Sequence, residues 1–211
     1  HKEYRRQRQM CIRDSSYTGN GTSGIYIWGA QLEAGAFATS YIPTVASQVT
    51  RNADQAVMTG TNFSSWYNQG YGTMYSECDV YSGVNSASGN YYWSLSDGST
   101  SNVMALVDSY ASNGTVSQMF SSGAVQFNQT NTPIPTSMFK AAFAYNTNDS
   151  AVSVSGSLPT TDTSVTLPVV NNIRFGLRGD LASNTYLNGH IRNFKYYPVR
   201  LSNSTLQGLT S

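Results

Sequence analysis

Short apolar and aromatic runs, separated by clusters of Gly, Asn, Ser and Asp, most constrain what this chain can fold into. Such clusters favour turns, and many short strands at this spacing are typical of an antiparallel β-sandwich. The only helix pattern lies near the end, at 202–209, with Ser202 as N-cap. We therefore predict an all-β sandwich with one short C-terminal helix. The predicted strands are 72–81, 91–95, 103–107, 116–120, 124–127, 139–145, 151–154, 173–177 and 189–197.

Successive side chains of a strand point to opposite faces, one toward the core and the next toward solvent, and residues 72–81 are predicted to follow this pattern. The prediction places Met74, Ser76, Cys78 and Val80 on one face and Tyr75, Glu77, Asp79 and Tyr81 on the other. Turn residues at 96–99, 121–123 and 146–149 each separate two strand patterns, which predicts three hairpins.

Composition fits one medium domain with a hydrophobic core. Hydrophobic residues make up 39% and aromatics 12%, too many for a disordered polar tract, whereas charged residues are only 11%. No apolar run is long enough to cross a bilayer or to form a secretory signal, so we expect no membrane insertion. Residues 16–211 hold seven basic and nine acidic residues, which argues against a nucleic-acid partner.

The N-terminal stretch is unusual. Residues 1–15 hold five basic and two acidic residues, and Gln9 to Asp14 resembles the translation of a transposon-end sequencing adaptor. We therefore interpret 1–15 as an artefact and exclude it from the fold. The exclusion removes Cys11 and leaves Cys78 as the remaining cysteine, so we expect no disulfide. We therefore expect the chain to fold in a reducing cytoplasm.

A separate pattern precedes the main body. The pattern of Ile25 to Trp28 predicts a strand, and Gly29 to Gly35 predicts a Gly-bounded turn. Ala38 to Thr44 is predicted to be extended chain, and a linker follows it to Asp54.

Three stretches carry a family resemblance. Trp28 to Gly35, with Thr39 to Thr44, resembles the closing strand and exit linker of a carbohydrate-binding-module-like jelly roll in bacteriophage virion proteins, and Thr50 to Asp54 resembles the hinge that follows it. Asn188 to Ser202 resembles the last strand and terminal turn of a concanavalin-A-like, laminin-G-like lectin/glucanase sandwich. The resemblance implies a truncated upstream jelly roll at 16–49 and a laminin-G-like sandwich at 50–211.

The resemblance also implies a function. It indicates a non-enzymatic module of a phage tail fibre or other virion structural protein, assembled in the host cytoplasm and acting in adhesion. The expected partners are a glycan or host-surface polysaccharide and other virion subunits. Two alternatives stay open: a glycoside hydrolase or lyase on the same scaffold, and a purely architectural assembly domain.

The enzyme alternative rests on Glu77 and Asp79. Glycosidases of this fold family carry Glu-x-Asp-x-Glu or Glu-x-Asp-x-x-Glu on one strand, and here Tyr81 and Ser82 stand where the last Glu would be. Hydrolysis with retention needs an acid and a nucleophile about 5 Å apart. Without the second Glu we expect no catalytic residues, and we interpret the pair as an exposed polar strand face.

Metal and cofactor chemistry has little support. His190 is the only histidine after the N-terminal stretch, so no histidine or thiolate cluster can form a metal site. We interpret His190 as a strand residue and Asp97 and Asp108 as turn residues, and we expect no metal and no cofactor.

The binding prediction rests on aromatic residues. Flat rings stack on sugar faces with little loss of side-chain entropy. Three candidates lie in a Gly/Asn-rich segment and three begin a strand: Trp66, Tyr67, Tyr71, Tyr91, Tyr92 and Trp93.

Overall fold

The computed structural model describes most of the chain. The described residues are 19–24, 26–33, 40–50, 55–80, 89–109, 114–131, 135, 137–182 and 185–211. The chain forms two compact units, His1–Ala53 and Asp54–Ser211. The predicted artefact at 1–15 lies outside the described residues, and so does most of the predicted hinge.

The described residues of the first unit contain no helix and no strand. The prediction of a strand at 25–28 is therefore wrong for Tyr26 to Trp28, because a strand needs a hydrogen-bonded neighbour and these residues have none. Two local contacts order the segment. The rings of Trp28 and Tyr41 lie 5.2 Å apart, and the Gln31 Oε1 atom accepts a hydrogen bond from the Ile42 N–H at 2.7 Å.

The second unit is built almost entirely of strands. Its helices are α1 (Thr61–Ser64) and α2 (Asn203–Thr210). Its strands are β1 (Ala56–Thr59), β2 (Tyr71–Val80), β3 (Asn90–Ser96), β4 (Val103–Ser109), β5 (Gly114–Ser121), β6 (Ala124–Asn131), β7 (Phe139–Asn146), β8 (Ser150–Val154), β9 (Thr160–Asp162), β10 (Asn172–Phe175) and β11 (Gly189–Tyr197).

These strands form two antiparallel sheets. One sheet has six strands in the order β1-β10-β3-β4-β5-β6, and the other has five in the order β11-β2-β7-β8-β9. Every strand pair is antiparallel. The predicted fold class, an all-β antiparallel sandwich with a short C-terminal helix, is confirmed.

The core lies between the sheets and is filled mainly by aromatic and large apolar residues. The six-stranded sheet contributes Tyr92, Trp93, Leu95, Met104, Leu106, Met119, Phe127 and Ile173, and the five-stranded sheet contributes Met74, Cys78, Phe139, Phe143, Tyr145, Val152 and Val154. The sides predicted for residues 74–79 are confirmed, since Met74 and Cys78 lie in this core whereas Tyr75 lies in a second cluster on the far face.

Helix α2 packs on the outer face of the five-stranded sheet. Leu206 is fully buried against Tyr75 and three small residues, Ala142, Ala144 and Ala151. The Ser202 Oγ atom accepts the Thr205 N–H at 3.2 Å, as predicted for the N-cap. Small residues on the strands leave room for the helix.

The nine predicted strands from 72 onward are all present. The sequence patterns missed β1, α1 and β9, which have only three or four residues each. The hairpin predictions hold as well: Gly98, Ser122 and Asn148 lie in turns with positive φ. Ser155 and Gly156 also both have positive φ, the backbone that an Asn-Gly pair would adopt.

One turn prediction is wrong. Asp97 lies in a turn and accepts the Ser99 N–H at 2.9 Å, as expected. Asp108 instead lies within β4 and is only 6% exposed, because the strand runs two residues beyond the apolar pattern that predicted it. None of the helices described here is long and apolar enough to cross a membrane.

Candidate functional site

The outer face of the six-stranded sheet carries one row that takes a residue from each strand. Strand register places these six side by side: Val57, Arg174, Ser94, Ala105, Gln118 and Asn128. The row points outward because Ile173 and Leu95, which flank Arg174 and Ser94 in sequence, belong to the core. We call this set the Arg174 row.

The floor beside the Arg174 row is apolar and tightly packed. Tyr91, Val103, Ala105, Val107 and Val116 form a buried cluster against which Phe120 packs. The small Ala105 side chain lies between the longer Gln118 and the short Ser94. The five cluster residues, and Ser94 beside them, are at most 6% exposed, so the cluster lies beneath the outermost layer of this face.

A loop between β10 and β11 folds over the β3 side of this face. The Gly176 N–H donates to the Tyr92 carbonyl and the Leu187 N–H donates to the Gly176 carbonyl, each at 2.9 Å. The Ser94 hydroxyl donates to the Leu177 carbonyl at 2.9 Å. A Cβ atom on Gly179 would lie 2.3 Å from the Ser96 Oγ atom, so glycine is required for this close approach.

Two polar pairs border the face. The Arg178 guanidinium donates to both carboxylate oxygens of Asp180, at 2.7 and 2.8 Å, and this pairing raises the pKa of Arg178. The Gln118 amide donates to the Tyr91 hydroxyl at 3.0 Å. Both pairs hold their side chains in fixed positions, which preorganises the border of the face.

Arg174 differs from these groups because its guanidinium is unpaired. Its Nε atom is buried without a hydrogen-bond partner, and none of the hydrogen bonds or ion pairs of the described residues involves this side chain. The residue as a whole is half-buried, so part of the guanidinium is removed from water without a partner, and that is costly. A planar guanidinium with free donors also matches a carboxylate or neighbouring hydroxyls.

The outer face of the five-stranded sheet is also charged, but there the charges are paired. Glu77 accepts hydrogen bonds from the Tyr75 hydroxyl at 2.8 Å and from the Asn193 amide at 3.3 Å, and its Oε2 atom lies 3.4 Å from the Arg192 Nε atom. His190 Nδ1 lies 3.0 Å from an Asp79 carboxylate oxygen. These contacts leave the pair little freedom to engage a substrate.

The surroundings of Glu77 set its protonation state. The hydrogen bond from Tyr75, above all, lowers the pKa of Glu77, while burial and that same bond raise the pKa of Tyr75 to about 12. An ionised carboxylate has no proton to give, so Glu77 is unsuited to act as a general acid. The other groups that influence Glu77 are Asn193, Arg192 and Lys140, none of them a carboxyl group.

The structure separates the six predicted ligand contacts into four places. Trp66 and Tyr67 are half-buried in an aromatic cluster with Phe63, Tyr145 and Tyr196, whose ring centroids lie 4.7–6.0 Å from those of Trp66 or Tyr67. A cleft of about 520 Å³ adjoins this cluster and is lined by Phe63 and Tyr67 among others. Tyr71, at the start of β2, is exposed.

The three strand aromatics have different positions. Tyr91 lies in the floor beside the Arg174 row, with its hydroxyl bonded to Gln118. Tyr92 and Trp93 are 0% and 1% exposed and belong to the core, so their prediction as ligand contacts is wrong. A β-bulge lies between Tyr91 and Trp93, so Tyr92 and its neighbour Trp93 both contribute to the core.

Sequence reasoning missed Arg174 and Arg178. Arg174 lies in the predicted strand 173–177, between the apolar residues Ile173 and Phe175. A single charge at an alternating position is a usable signal of an outward-facing residue. No pattern in the sequence shows that it lacks a partner.

The described residues contain no group of three or more His, Cys, Asp and Glu side chains that could hold a metal ion. Cys78 is buried and free, and burial raises the pKa of its thiol to about 12. A thiol in that state is a poor nucleophile.

Comparison with known proteins identifies the fold. No protein-family profile matches the chain, and no curated protein sequence matches it significantly. The chain is similar to the CBM40 module of the Ruminococcus gnavus IT-sialidase bound to α2,3-sialyllactose, with a TM-score of 0.58 and 13% identity over 71% of this chain and 88% of that one.

Two further structures share the sandwich. Leech intramolecular trans-sialidase, complexed with 2,7-anhydro-Neu5Ac, has a TM-score of 0.59 and 11% identity over 76% of this chain and 26% of its own. Mouse laminin α1 domains LG4-5 have a TM-score of 0.52 and 9% identity over 71% of this chain and 40% of their own. At such low identity the likeness shows the fold alone, which is that of the concanavalin-A-like, laminin-G-like sandwiches.

Proposed function

We propose that this chain is a non-enzymatic glycan-binding module that takes an acidic sugar at the Arg174 row. The unpaired guanidinium of Arg174 is the observation that carries the proposal. A sugar carboxylate would supply the partner that the protein does not, and the pair would be strengthened by the partly desolvated setting.

The rest of the row suits a sugar. The amides of Gln118 and Asn128 can donate to and accept from sugar hydroxyl groups. The similarity to the R. gnavus module bound to sialyllactose supports this class of ligand.

The proposal that the module is non-enzymatic rests on the paired state of Glu77 and Asp79. A glycosidase needs a protonated acid beside a nucleophile. Glu77 is held ionised, and Asp79 is engaged by His190.

The wider setting is also proposed, and it rests on the resemblance of the three sequence stretches. The module would belong to a phage tail fibre or another virion protein, where it would contact a host-surface polysaccharide and other virion subunits. Trp66, Tyr67 and Tyr71 remain predicted ligand contacts at a second place, near the cleft beside α1.

Isothermal titration with sialyllactose and with lactose tests the ligand class, because the two sugars differ only in the acidic residue. We expect sialyllactose to bind at least tenfold more tightly than lactose. Arg174→Gln should lower the affinity for sialyllactose at least tenfold, which corresponds to about 1.4 kcal/mol.

Arg192→Gln is the matched control, since it removes an arginine from the opposite outer face and should change the affinity less than twofold. Equal affinity for the two sugars, or equal effects of the two substitutions, would overturn the acidic-sugar proposal. A blank glycan array would favour the architectural alternative, and turnover of a polysaccharide would favour the enzyme.

A further inference from the structure

The cleft beside α1 adjoins the Arg174 row. Thr59 lines the cleft, and it is the next residue of β1 after Val57 that points to the outer face. On the chain that pairs with β1, Asn171 lines the cleft three residues before Arg174. Because residues two apart in a strand are separated by about 7 Å, the cleft begins about that distance along β1 from the Arg174 row.

Both walls of the cleft are held in place by contacts of their own. One wall is α1 with the residues that follow it, where the rings of Phe63 and Tyr67 stack with their centroids 4.7 Å apart. The other wall is the chain before β10. There the Gln69 Oε1 atom accepts the Val170 N–H at 3.3 Å, and the Gln69 amide donates to the Pro168 carbonyl. Little conformational freedom is therefore left to lose when a ligand binds.

The lining of the cleft is polar, uncharged and partly aromatic. Five of its residues carry a hydroxyl or an amide group: Thr59, Ser64, Tyr67, Gln69 and Asn171. No charged side chain is among the described residues that line it. The Asn171 Oδ1 atom accepts the Asn172 amide at 2.8 Å, so the exposed Asn171 side chain keeps its own N–H groups for a ligand. This lining suits the hydroxyl groups and C–H faces of neutral sugars and offers no cation to a second carboxylate.

We propose that the cleft binds the neutral sugars that follow the acidic sugar in the same glycan chain. The inference rests on the proposed function, because it takes the acidic sugar to lie at Arg174. The cleft volume of about 520 Å³ lies within the usual range of small-molecule sites, about 300–1,000 Å³. The ligand class is then an oligosaccharide with a charged end and a neutral continuation, and the second contact adds affinity because it is made within an already bound chain.

Lactose tests the cleft by itself, because both of its sugars are neutral. In amide NMR spectra of the full chain, we expect lactose to shift the resonances of Ser64, Tyr67 and Asn171. Ser64→Leu places a larger apolar side chain at the cleft and should weaken lactose binding about fivefold. Ser65→Leu is the matched control, since Ser65 is the next exposed serine and does not line the cleft, and it should change binding less than about twofold.

Chain length tests the link between the cleft and the Arg174 row. Isothermal titration should show that sialyllactose binds about fivefold more tightly than the α-methyl glycoside of sialic acid, which has no neutral sugar to place in the cleft. Ser64→Leu should reduce this difference to less than about twofold, whereas Ser65→Leu should preserve it. Near-UV circular dichroism checks that each variant is folded. Arg174→Gln should weaken both acidic ligands and leave the lactose shifts in place.

The outcomes separate this proposal from the acidic-sugar proposal. The cleft proposal would be overturned by absent lactose shifts, by shifts outside the cleft, by equal effects of Ser64→Leu and Ser65→Leu, or by equal affinity of the wild type for the two acidic ligands. Each of these results would leave the Arg174 site standing. Failure of both acidic ligands to bind, with lactose shifts confined to the cleft, would instead overturn the Arg174 site and keep the cleft as a site for neutral sugars.

Discussion

The two outer faces of the sandwich differ in how their charges are used. On the five-stranded sheet, Glu77 lies beside Arg192, Asp79 lies beside His190, and the Lys195 ammonium lies 5.9 Å from the centre of the Tyr75 ring. Helix α2 packs on part of that face, through Leu206. On the six-stranded sheet none of the described helices packs on the Arg174 row, the loop after β10 covers Ser94, and Arg174 is unpaired.

The difference shows that charge density is a poor guide to a binding site. The five-stranded face is richer in charge, but its groups already satisfy one another. The six-stranded face has fewer charges and one that is unsatisfied, so a ligand gains more by binding there. The predictions below test how far this distinction between a face with paired charges and a face with an unpaired one holds.

The largest effect is expected where a helix closes the five-stranded face. Leu206→Ala should lower the free energy of unfolding by about 2–4 kcal/mol, because Leu206 is fully buried against the sheet. Urea denaturation measures the change. Leu158→Ala, at a residue 80% exposed, should cost less than about 0.5 kcal/mol. Equal losses would show that α2 is not part of the folded core.

A second effect concerns the inner face of the six-stranded sheet, where Asp108 also lacks a full set of partners. Its Oδ1 atom is buried without a hydrogen bond, and burial raises the pKa of this carboxyl group. Asp108→Asn should therefore stabilise the fold by about 1–2 kcal/mol at neutral pH.

The pH dependence gives the sign of this effect. A raised folded-state pKa means that wild-type Asp108 destabilises the fold when ionised and ceases to do so as the pH falls. The advantage of Asp108→Asn should shrink toward acid pH, as followed by thermal unfolding at several pH values. Sialyllactose binding should not change, because this residue faces the core. An advantage independent of pH would contradict this account.

A third and smaller effect is expected in the loop between β10 and β11, which folds over the β3 side of the Arg174 row. Leu181 has φ of 64°, a left-handed conformation that glycine adopts at no cost. Leu181→Gly should stabilise the fold by up to about 1 kcal/mol in chemical denaturation. Leu158→Gly, at an exposed leucine with ordinary φ, should not stabilise it. A loss of stability in Leu181→Gly would show that the side chain contributes more than the backbone strain costs.

The smallest effect is expected at Glu77 on the outer face of the five-stranded sheet. The pKa of Glu77 is lowered in the folded state, so its carboxylate stabilises the fold at pH values above the ordinary glutamate pKa of about 4.3. This stabilisation is lost as the pH falls through the folded-state pKa. Glu77→Gln should lower Tm slightly at pH 7 and not at acid pH. Tyr75→Phe, which removes the main hydrogen bond to Glu77, should weaken the same pH dependence.

The fold was largely predictable from local patterns. The alternation of residues 72–81 assigned Met74 and Cys78 to the core, and turn residues such as Gly98 marked the hairpins. Alternation works because the side-chain period of a strand is two, whatever the strand later pairs with. Strands of three or four residues were not predicted, because a pattern of that length has too few repeats to detect.

The candidate site was predicted only in part. Tyr91 borders the Arg174 row, whereas Tyr92 and Trp93 fill the core, because a β-bulge in β3 breaks the simple alternation. Arg174 was not predicted as a site residue, because the property that distinguishes it is the lack of a hydrogen-bond or ion-pair partner. That property depends on every residue around it and not on its own sequence neighbours.

The sequence by itself determined the all-β class, the positions of the long strands and the capped terminal helix, since each follows from interactions between residues close in the chain. Only the tertiary structure decided which outer face has paired charges and a helix and which has an unpaired arginine. Arg174, Ser94 and Gln118 come from strands far apart in sequence, and their neighbourhood exists only once register and strand order are fixed.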